Sequence, residues 1–124
     1  MVEKVAIVSV AEELIQTALL GEAVDAGPAL VFVADEDMQY IAVNKRACEV
    51  LGYSREELLA LRVTDVARET ESSMEYDEML ARGFRHGTAT LTRKDGSAVE
   101  FAYQARRTVA AGLRLFISVG FVAD

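Results

Sequence analysis

Residues 30–59, LVFVADEDMQYIAVNKRACEVLGYSREELL, compress a chain of local instructions into one short stretch. Leu30 to Ala34 is a brief apolar run with β-branched and aromatic members, too short for a helix and suited to a buried strand. Asp35-Glu36-Asp37 interrupts it with turn-forming residues, and Tyr40 to Val43 resumes an extended apolar run. Asn44 stands where a helix should start, its side-chain oxygen placed to accept from an amide one turn on. Ala47, Val50 and Leu51 share one face of that helix, and Gly52 ends it. Ser54 with Glu57 forms a capping box that opens a further helix carrying Leu58 and Leu59. Strand, acidic turn, strand, capped helix, Gly turn and capped helix leave few ways to fold.

The flanking sequence extends this pattern. Ala11, Leu14, Ile15, Ala18 and Leu19 recur at three- and four-residue spacing, which predicts an N-terminal amphipathic helix ended by Gly21. That stripe suits two surfaces, the chain's own sheet or a second copy of the chain. Ala26-Gly27-Pro28 breaks the helix before the first strand. Beyond Leu59, Val63 to Arg68 predicts one or two helical turns. Ser72 to Glu75 is a second capping box, opening a helix with Met74, Tyr76, Met79 and Leu80 on its apolar side and Phe84 tucked under its exit. The last third is strands: Thr88 to Arg93, a hairpin at Lys94-Asp95-Gly96-Ser97, a strand with Val99, Phe101, Tyr103 and Ala105 on one face, and a second hairpin at Ala110-Ala111-Gly112. The final strand carries Leu113, Leu115, Ile117, Val119 and Phe121 on one face. The order predicts an α+β fold with an antiparallel sheet.

Composition excludes several function classes. The chain has 124 residues, 52% hydrophobic and 27% charged, which describes one globular domain rather than a disordered segment. A net charge of −7 with no basic face argues against nucleic-acid binding. No run approaches the roughly 20 apolar residues a membrane-spanning helix needs, and Glu3 with Glu12 and Glu13 flanks the apolar run near the N-terminus, so no signal peptide is expected. One cysteine, Cys48, cannot form an internal disulfide, in keeping with a reducing, cytoplasmic setting.

The N-x-x-A…LGYSREEL run from Asn44, read with the later RKDGS hairpin, resembles the PAS domain family, and the resemblance spans about Pro28 to Asp124. It implies a five-stranded sheet with the first strand central and helices over one face. It divides the chain into a flanking helix, residues 1–26, and a PAS domain, residues 27–124.

Catalytic and metal chemistry find little support in the residues. His86 is the sole histidine, with no ligand cluster at metal spacing. In haem-binding PAS sensors the histidine lies on the helix before the third strand; the matching segment, Met74 to Arg82, has none, and His86 falls in the expected exit loop. The flavin-binding branch places a reactive cysteine where this chain has Thr64, so neither haem nor a cysteinyl-flavin adduct is expected. Cys48 reads as a packed thiol and Asp35 to Asp37 as a turn. No nucleophile elbow or phosphate-binding loop is present, so no enzyme is expected; a small α+β enzyme using Asp35 or Glu100 as base is the remote alternative.

The expected function is a sensory and dimerising module that passes a ligand- or partner-induced change to an output domain. Its ligand pocket is expected between Val31, Val33, Ile41 and Val43 of the first strands, Leu51, Leu58 and Val66 of the helices, and Met79, Leu80, Phe84, Phe101, Tyr103, Ile117 and Val119. The same residues would also serve a filled core in a ligand-free assembly module. The expected dimer surface is the helix face of Ala11, Leu14, Ile15, Ala18 and Leu19.

Overall fold

The computed structural model describes residues 2–68 and 82–123, with side chains from residue 11 onward. The second capping box and the helix expected after it, with Met79 and Leu80, therefore lie outside the described residues, as does Asp124.

The opening stretch folds as its caps dictate. Strand β1, Leu30–Ala34, turns through the acidic residues into β2, Tyr40–Val43. Asp35 makes that turn: its Oδ1 accepts from the amides of Asp37 at 2.9 Å and Gln39 at 3.0 Å. Asn44 caps α1, Lys45–Leu51, by accepting from Ala47 N at 3.1 Å, and Gly52 closes it in the left-handed region at φ 79°. Ser54 caps α2, Arg55–Leu59, and the reciprocal bond runs from Ser54 N to Glu57 Oε1 at 2.9 Å. One turn of helix, α3, follows at Val63–Val66.

The later strands are longer than their sequence suggests. β3 spans Phe84–Thr92, β4 Ala98–Ala110 and β5 Leu113–Val122. β3 begins four residues before the expected Thr88, so Phe84 and His86 sit on a strand and not in a loop. Their rings meet edge to face at 6.1 Å, and both are exposed. Ladder pairing to Arg106 and Gln104 of β4 holds them there. The tight turn between β4 and β5 has two positive φ angles, 52° at Ala111 and 75° at Gly112.

The sheet order is β2-β1-β5-β4-β3, antiparallel throughout. β5 takes the middle place expected of β1, and β1 lies between β2 and β5. Leu51, Leu58 and Val66, all essentially inaccessible, press the short helices onto the inner face of the sheet beside Leu30, Phe32, Ala89, Leu91, Val99 and Phe101. The β3–β4 hairpin locks onto the helices through polar bonds, Lys94 N to Leu51 O at 2.9 Å and Arg93 Nε to Val50 O at 3.1 Å.

The N-terminal helix, here αN, runs Val2–Ala26. It passes through Gly21, where an end was expected. A helix-interior glycine costs only about 1 kcal/mol, and the stop comes instead at Gly27-Pro28. A Cβ at Gly27 would lie 2.5 Å from Ala23 O, so the chain turns there only without a side chain. Among the described residues, αN is tied to the core at its C-terminal end. Asn44 Nδ2 donates to Val24 O and Ala29 O, both at 2.8 Å, and Arg55 Nη2 pairs with Asp25 Oδ1 at 2.5 Å. From Ala11 to Leu20 every residue is exposed, so this stretch of the helix does not cover the chain's own sheet.

Candidate functional site

Between the sheet and the short helices lies an apolar cavity of about 80 Å³. Its floor is the inner face of the sheet: Phe32 and Ala34 from β1, Tyr40 from β2, Phe116 and Ser118 from β5. β4 adds Phe101, Tyr103 and Ala105, and β3 adds Arg85, Ala89 and Leu91. Asp35, Met38, Val63 and Ala67 come from the loops and α3. An aromatic row organises the floor. Phe32 stands 5.5 Å from Tyr40 and 5.6 Å, edge-on, from Phe101, which stacks on Tyr103 at 5.5 Å.

The space exists because small side chains alternate with these rings. Ala34, Ala89, Ala105 and Ser118 point into the cavity where larger residues would have filled it. Gly120 carries the pattern on: a Cβ there would come within 2.1 Å of Ala102 O on the neighbouring strand.

Polar groups stand within this apolar wall. On β3, Arg85 Nε donates to the Tyr103 hydroxyl at 3.2 Å. On β2, Tyr40 is 4% exposed, and burial together with the Asp65 carboxylate holds its phenol well above the ordinary tyrosine range. Tyr40 is therefore a neutral hydrogen-bond donor across the physiological range.

Several residues expected at the pocket stand elsewhere. Val31 and Val33 point to the outer face of the sheet, paired with Val119 and Ile117 in register; the inward positions of β1 are Leu30, Phe32 and Ala34. All five residues of β1 are apolar, so alternation gave no phase. Ile117 and Val119 are outward too, because the apolar alternation of β5 marks its outer face and Phe116, Ser118 and Gly120 are inward. Ile41 is 39% exposed beside the irregularity in the β1–β2 ladder, and Phe84 is 53% exposed on β3. Val43, Leu51, Leu58 and Val66 are buried in the packed core away from the cavity wall. Phe101 and Tyr103 do line the cavity. The signal for the missed residues was the set of small inward side chains in β1, β3 and β5, which only a known register reveals.

The other candidate chemistry has structural explanations. Asp35 bonds its own turn, and Glu100 accepts from Thr90 Oγ1 at 2.8 Å on the outer face. Cys48 is half-buried, and desolvation pushes its thiol up despite the opposing charge of Arg55. Among the described residues no group of three His, Cys, Asp or Glu is placed to hold a metal ion.

A second surface is set by the outward apolar residues. Ile117, Val119 and Phe121 run along β5 with Val31 and Val33 beside them, and Val119 and Phe121 are exposed. Leu14, Ile15, Leu19 and Leu20 of αN are exposed as well. Among the described residues both are apolar surfaces without a cover.

A short helical layer over one face of a 2-1-5-4-3 sheet, with a cavity between, is a specific arrangement, and the family model for the PAS domain matches residues 28–124. The chain belongs to the PAS domain family. Solved PAS domains share its shape. One from a two-component sensor histidine kinase superposes with a TM-score of 0.78 at 13% identity, covering 90% of this chain and 99% of that one. The PAS domain of an HTR-like protein from Haloarcula marismortui gives 0.76 at 22% identity, covering 91% and 97%. A domain of a sensory box sensor histidine kinase/response regulator from Geobacter sulfurreducens gives 0.72 at 17%, covering 86% and 93%. No curated protein matches the sequence. PAS domains are sensory domains of signalling proteins. The cavity of this PAS domain is its candidate sensory site, and no described helix is long and apolar enough to cross a membrane.

Proposed function

We propose that this PAS domain is a homodimeric sensory module that takes a small apolar ligand into its cavity and passes the resulting change to an output domain, within the cytoplasm. The observation that carries the reading is the cavity itself. A close-packed interior leaves few voids larger than a water molecule, yet among the described residues about 80 Å³ stays unfilled behind an apolar wall. Engineered apolar cavities of about 150 Å³ hold benzene, so a haem or a flavin is far too large for this one. The module is read as non-enzymatic, residues 1–26 as its flanking helix and residues 27–124 as the sensory domain.

The dimer reading rests on the exposed apolar residues of αN and of β5, each of which a second copy can cover. Ligand and dimer are linked through Asn44: a shift in the cavity moves β1 and β2, and Asn44 joins both to the last turn of αN. Mass spectrometry of an organic extract of the purified protein tests the ligand, and light scattering tests the dimer, expected at twice 13.5 kDa. A monomer whose behaviour is unchanged by deleting residues 1–26 contradicts the dimer. An empty extract together with a dimer favours the second reading, an assembly module without a ligand, which the same apolar surfaces support.

A further inference from the structure

Tyr40 brings to the cavity a donor whose bonding is incomplete. Tyr40 is 4% exposed and lines the cavity, and its backbone amide is taken up by Leu61 O at 3.1 Å. Among the described residues its hydroxyl has no hydrogen-bond partner. Yet no buried side-chain polar atom among them is both sealed and unpartnered. The hydroxyl therefore opens onto unfilled space, and the cavity is the space that Tyr40 lines. A hydroxyl that opens onto this space is free to donate to an acceptor placed there, a bond that contributes about 1 kcal/mol.

The charges near Tyr40 decide what kind of acceptor fits. The negative charge of Asp65 acts on the phenol, and Asp35, next in chain to the Ala34 that pairs with Tyr40, lines the same cavity. Two carboxylates at this end disfavour an anion there. The cationic group, Arg85, is on β3, at the opposite edge of the sheet from β2. The wall between is aromatic and aliphatic, which disfavours a charged or strongly hydrated body.

We propose that the ligand is a small neutral molecule with an apolar body no larger than about a benzene ring and one carbonyl-type oxygen, which accepts from the Tyr40 hydroxyl. The class is that of small ketones, lactones and esters. This deepens the reading of the cavity as a ligand site and rests on it.

The test compares three probes of matched size by two-dimensional NMR titration of the full chain: cyclopentanone, methylenecyclopentane, which lacks the acceptor, and cyclopropanecarboxylate, which is anionic. Cyclopentanone is expected to bind about tenfold tighter than methylenecyclopentane, the worth of one hydrogen bond of about 1.4 kcal/mol. In Tyr40→Phe that ratio falls to about one while methylenecyclopentane binds as before, and the melting curve reports whether the variant folds. The wild-type ratio alone is decisive if it does not. Cyclopropanecarboxylate binding tighter than the ketone, or a ketone preference that survives Tyr40→Phe, overturns the proposed class but leaves the cavity as a ligand site. If none of the three probes moves the resonances of Ala89 and Phe101, the cavity reading itself falls.

Discussion

The side-chain amide of Asn44 donates to the carbonyl oxygen of Val24 across 2.8 Å, joining the N-terminal helix to the first capped helix of the core. The same side chain donates to Ala29 O and accepts from Val31 N and Ala47 N, so all its bonding capacity is used while only 4% of it is exposed. One residue thus caps a helix, fixes the start of β1 and sets where αN leaves the domain.

Asn44→Ala removes the cap and takes their side-chain partner from the partly buried backbone groups of Val24, Ala29 and Val31. A loss of about 3 kcal/mol is expected from these combined. Urea unfolding monitored by circular dichroism measures it. A loss below about 1 kcal/mol contradicts the bracket and reduces Asn44 to a cap.

Gly120→Ala sets a methyl group against the backbone of β4, 2.1 Å from Ala102 O and 2.7 Å from Tyr103 Cα. Backbone cannot yield as a flexible side chain does, so the β4–β5 ladder must part. The variant is expected to melt many degrees lower, or not to fold, whereas Gly96→Ala, at an open turn, costs only the strain of a positive φ. Paired thermal melts decide it; equal melting points mean that β5 sits differently.

Much of this was readable in the chain. Asn44, Gly52, Ser54 and Glu57 act locally, each through a hydrogen bond or a backbone angle within a few residues, and all take the roles their types predict. The PAS fold followed from them. The face of each strand was another matter. β1 is apolar at every position, and β5 alternates with its larger apolar set outward, so Val31, Val33, Ile117 and Val119 were placed at the pocket by a hydrophobic pattern that belongs to an uncovered outer face. Only pairing partners, Val33 with Ile117 and Ala34 with Phe116, reveal the phase. Tyr40 and Arg85 were unreadable for the same reason, since their meaning comes from residues far away in sequence.

Glu57 ties the second capped helix to the β3–β4 hairpin, accepting from Lys94 Nζ at 2.6 Å and from Ser54 N at 2.9 Å. The Lys94 bond first, then the Ser54 amide, hold its carboxyl down from 4.5 to about 2. A carboxylate depressed in the folded state stabilises above its unfolded pKa and loses that contribution as pH falls through the folded value. Glu57→Gln is therefore expected to be less stable than wild type at pH 7, with the gap closing between about pH 4.5 and 2. Stability measured across that range checks it; a gap that widens on acidification contradicts the assignment.

The outer face of β5 is expected to carry the dimer contact. Val119→Asp places a charge on a residue already 41% exposed, so the fold should hold while association is lost. Light scattering should fall from twice 13.5 kDa to a single copy. An unchanged mass with a normal melting curve removes this face from the interface.

The central claim is that the unfilled space beneath Phe32, Tyr40 and Phe101 is a binding site for a small molecule. Ligand-observed NMR with a set of small apolar fragments, on wild type and on a folded Ala89→Leu variant that fills the cavity, tests it most directly. The account predicts fragments that bind wild type, displace one another and no longer bind the filled variant. Fragments that bind both proteins equally, or none at all, would contradict it.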